Sequence, residues 1–268
     1  MSSYIEEQNK IPTSHEVDVL VCGGGPAGIG AAIVAARQGA HVMVIEAQGC
    51  LGGIATAGMM SHWGGRSSSK VMQEIFDLTY QKAKDIGWAH ENGCGQDAIY
   101  HDIQKIVLEE MFLKENIEVL YYTLFCKAVV ENGAIIGAIV ENKSGRSFIK
   151  AKRVVDATGD GDVAASAGVP YFKGREEDGR MQPATIMFKI GGVDYTIPYG
   201  CLLPKNVEGL LLSGRNISGS HMAHSNFRIM SVCIALGEAA GAAAAISIKE
   251  NKLLRDIDVA KIQAIVGE

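Results

Sequence analysis

The stretch Val17–Gly28, VDVLVCGGGPAG, decides the fold. Val17 to Cys22 is a short, uninterrupted apolar run, the pattern of a strand buried on both faces. Gly23, Gly25 and Gly28 follow it with the spacing GxGxxG, and Pro26 and Ala27 fill the gap. Ile29 to Gln38 then reads as a helix that stops at Gly39. His41 to Ile45 (HVMVI) is a second buried strand, and Glu46 stands at its end. Each piece has a physical task. One glycine makes the tight turn, one lets backbone N–H groups approach a pyrophosphate, and one lets helix and strand pack closely. The helix N-terminus offers unpaired N–H groups and a partial positive charge to the diphosphate. The Glu46 carboxylate accepts hydrogen bonds from a ribose diol and repels a 2′-phosphate, which argues against NADP. With strand, helix and acidic residue in register, the stretch reads as a dinucleotide site.

Outward from it, residues 1–14 read as a loose polar arm and 15–268 as a single domain. A Gly-rich loop runs from Gly49 to Gly65, and helical patterns cover about 70–85 and 98–115. Short β-type segments follow at about 117–122, 124–131, 134–141 and 147–150, with turn signals at Asn132-Gly133 and Ser144-Gly145. Lys152 to Asp156 is another strand, Ala184–Ile190 a further one, and Val207–Ser213 the last of the sheet. Residues 225–248 form a long closing helix. The pattern is α/β: a Rossmann-like domain with a central parallel sheet, an inserted β-meander and the closing helix.

Composition agrees. The chain has 268 residues, 32 of them glycine, and only 6% aromatics. Such a chain packs backbone closely around a cofactor. Its net charge of −5 argues against nucleic acid or anionic lipid as a partner. Six cysteines stand too far apart for CxxC or zinc-finger pairs, so most read as small apolar core residues and no metal site is expected. The N-terminus is polar, without a signal-peptide core. The most apolar stretch, Ile229 to Ile248, contains Glu238 and reads as a buried helix, not a membrane span. The cytoplasm is the expected location.

A second motif, Asp156-Ala157-Thr158-Gly159-Asp160, follows a strand, as does Leu210-Leu211-Leu212-Ser213-Gly214-Arg215. With these the chain resembles the glutathione-reductase-like flavoproteins with two dinucleotide-binding domains. More closely it resembles the FAD-dependent oxidoreductase family distantly related to fumarate reductase flavoproteins. The matching stretches include LGGIATAG (51–58), RVVDATGDGDVAASAG (153–168), MQPATIMFKIGGVD (181–194), IPYGCLLP (197–204), GLLLSGRNIS (209–218) and RIMSVCIALGEAAGAAAA (228–245).

The resemblance implies FAD as cofactor and a role for each matching residue. Gly23, Gly25, Ala27 and Gly28 hold the diphosphate, and Glu46 the adenosine ribose. Gly52, Gly53 and Thr56 lie along the diphosphate–ribityl–flavin run. Ala128 uses backbone groups near the adenine. Thr158, Gly159 and Asp160 pack against the cofactor from the second strand, and Gly214 and Arg215 sit near the ribityl chain. The helix starting near Asn226 aims its N-terminus at the flavin N1–C2=O edge, where a positive dipole stabilises reduced flavin.

One departure stands out. Members of the family usually carry a substrate-covering cap between the GGVD and IPY stretches. Here Asp194 and Ile197 are joined by Tyr195 and Thr196 alone, so the cap is expected to be reduced or absent.

For catalysis, His221 is the first candidate. It precedes the closing helix, and imidazole can exchange the proton that accompanies hydride transfer; otherwise it hydrogen-bonds flavin or caps a helix. Arg228 balances an anionic flavin or a substrate carboxylate, or makes a structural ion pair. His62, in the loop after LGGIATAG, is the third candidate. His224 reads as a surface or interface residue and Cys94 as a loop thiol.

The leading expectation is hydride transfer between a small organic substrate and flavin, with an unidentified electron acceptor. A cap-less electron-transfer subunit is the first alternative. A compact NAD-using synthase resembling thiazole synthases is the second, although the glycine and cysteine signatures expected of those are not found. Without a cap, a homo-oligomer or a partner subunit is expected to cover the flavin.

Overall fold

The computed structural model describes residues 10–60, 63–64, 68–88, 100–174, 177–181, 197–220, 223–224 and 227–267. Seven strands form one sheet. They are β1 (Thr13–Cys22), β2 (Val42–Ile45), β3 (Glu118–Leu120), β4 (Leu124–Glu131), β5 (Ala134–Asn142), β6 (Gly145–Asp156) and β7 (Leu210–Leu212). The order along the sheet is β3-β2-β1-β6-β5-β4, with β7 also paired to β6.

The long strand β6 joins the two halves of the sheet. One edge runs parallel to β1 from Phe148 to Asp156. Along the other edge its first half pairs antiparallel with β5, and its last three residues pair parallel with β7. The segments 147–150 and 152–156, expected as separate strands, are therefore one. The meander is a continuation of the parallel sheet, not a separate layer. Its hairpin turn is the expected one: Asn132 and Gly133 both have positive φ, at 52° and 78°, as a two-residue type I′ turn demands.

The helices are α1 (Pro26–Arg37), α2 (Lys70–Asp85), α3 (His101–Lys114), α4 (Asp162–Ser166), α5 (Met230–Glu250) and α6 (Val259–Val266). Helix α1 begins at Pro26, ahead of the expected Ile29, because proline at the first helical position loses no hydrogen bond. Helix α5 begins at Met230, later than the expected 225, with Ile229 as its cap in extended conformation. Strand β1 starts at Thr13, inside the expected polar arm. The expected strand Ala184–Ile190 lies outside the described residues.

Helices α1 and α5 pack on each other and on the parallel strands. Their contact is made of glycine and alanine. A Cβ on Gly237 would stand 1.9 Å from the Ala27 carbonyl oxygen, one on Gly241 2.2 Å from that of Ala31, and one on Gly30 2.3 Å from that of Ile234. The two backbones touch where most helix pairs are held apart by side chains. Helix α5 is long and apolar enough to cross a membrane by length and composition, yet most of it is buried inside the protein. Glu238 is its one acidic residue before the C-terminal turn. It is buried and accepts Ser69 Oγ–H at 2.6 Å and Val71 N–H at 2.8 Å. Because Ser69 also caps α2 through Met72 N–H, this carboxylate ties the start of α2 to the core.

The cysteines divide. Cys22 and Cys233 are buried, Cys50 and Cys201 half-buried, and Cys126 exposed. Among the described cysteines, the first two fit the expected core role. The Cys233 thiol is pushed up to about 12 by burial.

Candidate functional site

In an open α/β sheet, ligands bind beyond the C-terminal ends of the parallel strands, where the strand order reverses. That point lies here between β1 and β6, and four glycine-bearing loops converge on it. Gly23 (φ +104°) ends β1 in the left-handed region, and a Cβ on it would stand 2.4 Å from the Ala157 carbonyl oxygen just beyond β6. Gly28 permits the turn to close: a Cβ there would stand 1.8 Å from the Gly23 carbonyl oxygen. Gly25 differs from both. It caps α1 in extended conformation, no side chain caps the helix, and an added Cβ would meet nothing within 4 Å. The open space therefore lies at the uncapped N-terminus of a 12-residue helix. This is a cradle that suits a diphosphate.

The second loop lies against the first. Gly52 N–H donates to the Gly24 carbonyl at 2.8 Å, and a Cβ on Gly53 would stand 3.1 Å from Gly25 Cα. Thr56 is buried, and its hydroxyl donates to the Leu51 carbonyl, so it shapes the loop from within.

Glu46 sits at the end of β2, buried, and does more than the motif requires. Oε2 accepts Gly24 N–H at 2.6 Å and Oε1 accepts Gln48 N–H at 2.8 Å. Each carboxylate oxygen keeps a further acceptor position. One side chain thus holds the glycine loop in shape and retains capacity for a ribose hydroxyl.

The third loop follows β6. Asp156 is fully buried at the strand end. Its Oδ1 accepts the Thr158 amide at 3.1 Å and the Thr158 hydroxyl at 2.7 Å, while Oδ2 accepts Ala164 N–H at 2.9 Å. Burial raises the Asp156 carboxyl, and these hydrogen bonds pull it back only in part. Thr158 Oγ1 in turn accepts Asp162 N–H. The Thr158–Asp160 turn is therefore a tight frame built on Asp156.

The fourth loop follows β7. Gly214 (φ +96°) lies against α1, with its Cβ position 3.1 Å from Ala27 Cβ. Arg215 crosses over Gly159 and pairs with Asp160 Oδ1 at 3.0 Å. That pair is exposed and contributes little to stability. Asn216 Nδ2–H donates to the Asp156 carbonyl at 3.0 Å. The half-buried His224 ring bonds the Arg215 carbonyl through Nε2.

Two buried polar atoms of this loop have no partner, Ser213 Oγ and Asn216 Oδ1. Buried polar atoms are normally satisfied, and this pair beside the cradle fits a ligand that bears hydroxyls.

Of the expected cofactor residues, Gly23, Gly25, Ala27, Gly28, Glu46, Gly52, Gly53, Thr158, Gly159, Asp160, Gly214 and Arg215 come together at this edge. Ala128 lies on β4, where its N–H donates to Ser166 Oγ at 2.9 Å. Asn226, His221 and His62 lie outside the described residues, as does Cys94. Arg228 is half-buried two residues before α5. The neighbours of His62 do reach the start of α5: Ser231 N–H donates to the Trp63 carbonyl and Ser231 Oγ–H to that of Gly64. Sequence reading missed Ser213, Asn216, Ser166 and the organising role of Asp156. For Asp156 the signal was present, since an aspartate at a strand end just before a short helix is a helix-capping type.

A Rossmann-type sheet, a glycine cradle at a helix N-terminus and an acidic residue after β2 define a dinucleotide-binding protein. Residues 18–194 and 192–266 match the FAD dependent oxidoreductase family, and the chain belongs to it. It is an FAD-dependent oxidoreductase. A soluble pyridine nucleotide transhydrogenase of Chromohalobacter salexigens is 38% identical over 77 residues, 27% of this chain and only 16% of that protein. The other similarities span more. A thiamine thiazole synthase of Aeropyrum pernix is 27% identical over 230 residues, covering 74% of this chain and 80% of that one. The crystal structure of Thermovibrio ammonificans THI4 shares the fold with a TM-score of 0.57 at 17% identity, over 87% of this chain and 90% of that one. The outline weighed from the sequence as a compact synthase thus recurs among the similar proteins.

Proposed function

We propose that this chain binds FAD non-covalently along the C-terminal edge of its sheet and transfers a hydride between flavin and a small organic substrate. The observation that carries the reading is the open space at Gly25, at the uncapped start of α1, within a chain matched to the FAD-dependent family over 18–194 and 192–266. In this reading the amides of Ala27 and Gly28 hold the diphosphate, and Glu46 holds the adenosine ribose while keeping Gly24 in place. Gly52 and Gly53 let the cofactor pass close to backbone. Ser213 Oγ and Asn216 Oδ1 join Gly214 and Arg215 on the ribityl side, which satisfies both orphaned atoms. When bound, FAD supplies a two-electron acceptor that one hydride can fill.

The remaining work falls to side chains near the start of α5. His221 takes or returns the substrate proton at an imidazole nitrogen. Arg228 orients an anionic group, and His62 lines the substrate side. The N-terminus of α5 favours negative charge there. With only Tyr195 and Thr196 in place of a cap, a second copy of the chain or a partner subunit covers the site and excludes water. We place the protein in the cytoplasm, with an electron acceptor still to be identified.

The test is to purify the chain, record its visible spectrum, and expose it without oxygen to fractionated metabolites. A yellow protein whose flavin bleaches with a small molecule alone supports the enzyme reading. Flavin that bleaches only when another protein is added supports the electron-transfer subunit. A colourless protein that retains NAD would move it towards the synthases.

A further inference from the structure

A second cleft, of about 250 Å³, opens beside the cofactor edge. It is bordered by Thr56 and Met59, from the loop whose Gly53 lies against Gly25, by Trp88 just after α2, and by the first turn of α3. Its walls are unusual for a chain with so few aromatics. Trp88 and Tyr100 line it, and Met59 adds a polarisable thioether. Trp88 and Met59 are both exposed, an expensive placement for large apolar groups.

The polar groups of the cleft include two acceptors, set beside the Lys105 ammonium and the Thr56 and Tyr100 hydroxyls. His101 Nδ1 lies 2.9 Å from the Ala55 carbonyl oxygen. A carbonyl can only accept, so Nδ1 carries the hydrogen, and in the neutral form of the ring Nε2 is an acceptor. Asp102 is an acceptor too, one oxygen held by Lys105 Nζ at 2.9 Å and the other free of that bond. A volume of 250 Å³ suits one ring and not several.

We propose that this cleft binds a single planar aromatic ring carrying an O–H or N–H donor, a phenol in the simplest case, and that this ring belongs to the substrate of the flavin reaction. Trp88 and Tyr100 stack on it, and His101 Nε2 accepts its hydrogen bond. The substrate assignment rests on the FAD reading above; the ring site itself does not.

The chain contains two tryptophans. Trp63 is buried edge-on against Phe76, so solvent-accessible fluorescence reports Trp88. The flavin-loaded protein is titrated with phenol while tryptophan emission and the flavin spectrum are followed together. Saturable quenching is expected, absent in Trp88→Phe, with the flavin bands shifting at the same midpoint. Anisole has the ring without the donor, and its binding should be about tenfold weaker. Cyclohexanol has the donor without the ring and should give no saturation. His101→Asn keeps a donor towards the Ala55 carbonyl and removes the Nε2 acceptor; about tenfold weaker phenol binding is expected in a folded protein.

Linear, unsaturable quenching by phenol, or equal saturation by cyclohexanol, overturns the site. Unchanged phenol affinity in His101→Asn overturns the role of His101. Saturation that leaves the flavin bands unmoved overturns the substrate assignment. A protein without flavin that still saturates with phenol upholds the cleft and fails the FAD reading. A flavin-bearing protein that does not saturate does the reverse.

Discussion

Gly25 in the phosphate loop and Gly237 in the middle of α5 are the same residue put to opposite uses. At Gly237 an added Cβ would stand 1.9 Å from the Ala27 carbonyl oxygen, inside the contact of two helices. At Gly25 it would meet nothing within 4 Å. One glycine is needed for the chain to fold; the other is needed only when something else occupies the space beside it. Both positions bear on the first turn of α1: Gly25 caps it, and Gly237 of α5 lies against the Ala27 carbonyl. Folding and cofactor binding thus draw on adjacent stretches for different physical reasons, and substitutions can separate them.

The largest effect is expected at the helix crossing. Gly237→Ala should cost about 3 kcal/mol or more, because the clash is with backbone that can yield only by moving α1 away from α5. Thermal unfolding measures it. A change under about 1 kcal/mol would show that the crossing is looser than its geometry. Gly25→Val should reverse the pattern. The protein should fold with nearly normal stability, because the extended backbone there accepts a side chain, while FAD affinity falls more than about a hundredfold. Normal flavin content in folded Gly25→Val would end the phosphate-loop assignment.

Glu46 belongs to both regions at once. Glu46→Ala should lower stability by about 1–3 kcal/mol, since the buried Gly24 N–H loses its acceptor, and should weaken FAD binding as well. Glu46→Gln keeps acceptor capacity on one oxygen only, and a loss of about tenfold in FAD affinity with a smaller stability cost is expected. If both variants keep full affinity, Glu46 serves the loop and not the ribose.

The smallest effect is electrostatic. Burial raises the Glu238 carboxyl above its ordinary 4.5, against the pull of the Ser69 and Val71 hydrogen bonds. The folded protein then holds this proton to higher pH than the unfolded chain does. Stability from this group is fully present below 4.5 and falls as pH rises to the folded value. Glu238→Gln keeps an oxygen for both donors and removes the charge. Its melting temperature should be less sensitive to pH from 4.5 upwards, with a gain in stability at neutral pH. An unchanged pH profile would show that Glu238 is not the group responsible.

Much of the molecule was legible in order along the chain. The β1–α1–β2 unit carries its own punctuation in Gly23, Pro26 and Gly39, and the meander carries its turn at Asn132-Gly133. Short-range rules suffice where neighbours in sequence are neighbours in space. They fail where one residue answers to two partners. Strand β6 read as two segments because nothing local says that one strand serves β5 with its first half and β7 with its second. The acceptor of the Ala128 N–H went unread because Ser166 is 38 residues away. Helix α6 was missed although Asp258 caps it by accepting Ala260 N–H, a signal of the ordinary kind.

By itself the sequence determined the class of fold, the dinucleotide cradle and the flavoprotein family, because strand, glycine turn, helix and acid are consecutive and each is dictated by its own backbone chemistry. Only the tertiary structure decided which glycines face open space and which face backbone, that Glu46 and Asp156 each hold a loop as well as lining the site, that Ser213 and Asn216 are left unpaired, and that Trp88, Tyr100 and His101 border one cleft. Those facts depend on distances between segments far apart in the chain, and no local pattern of residues encodes a distance.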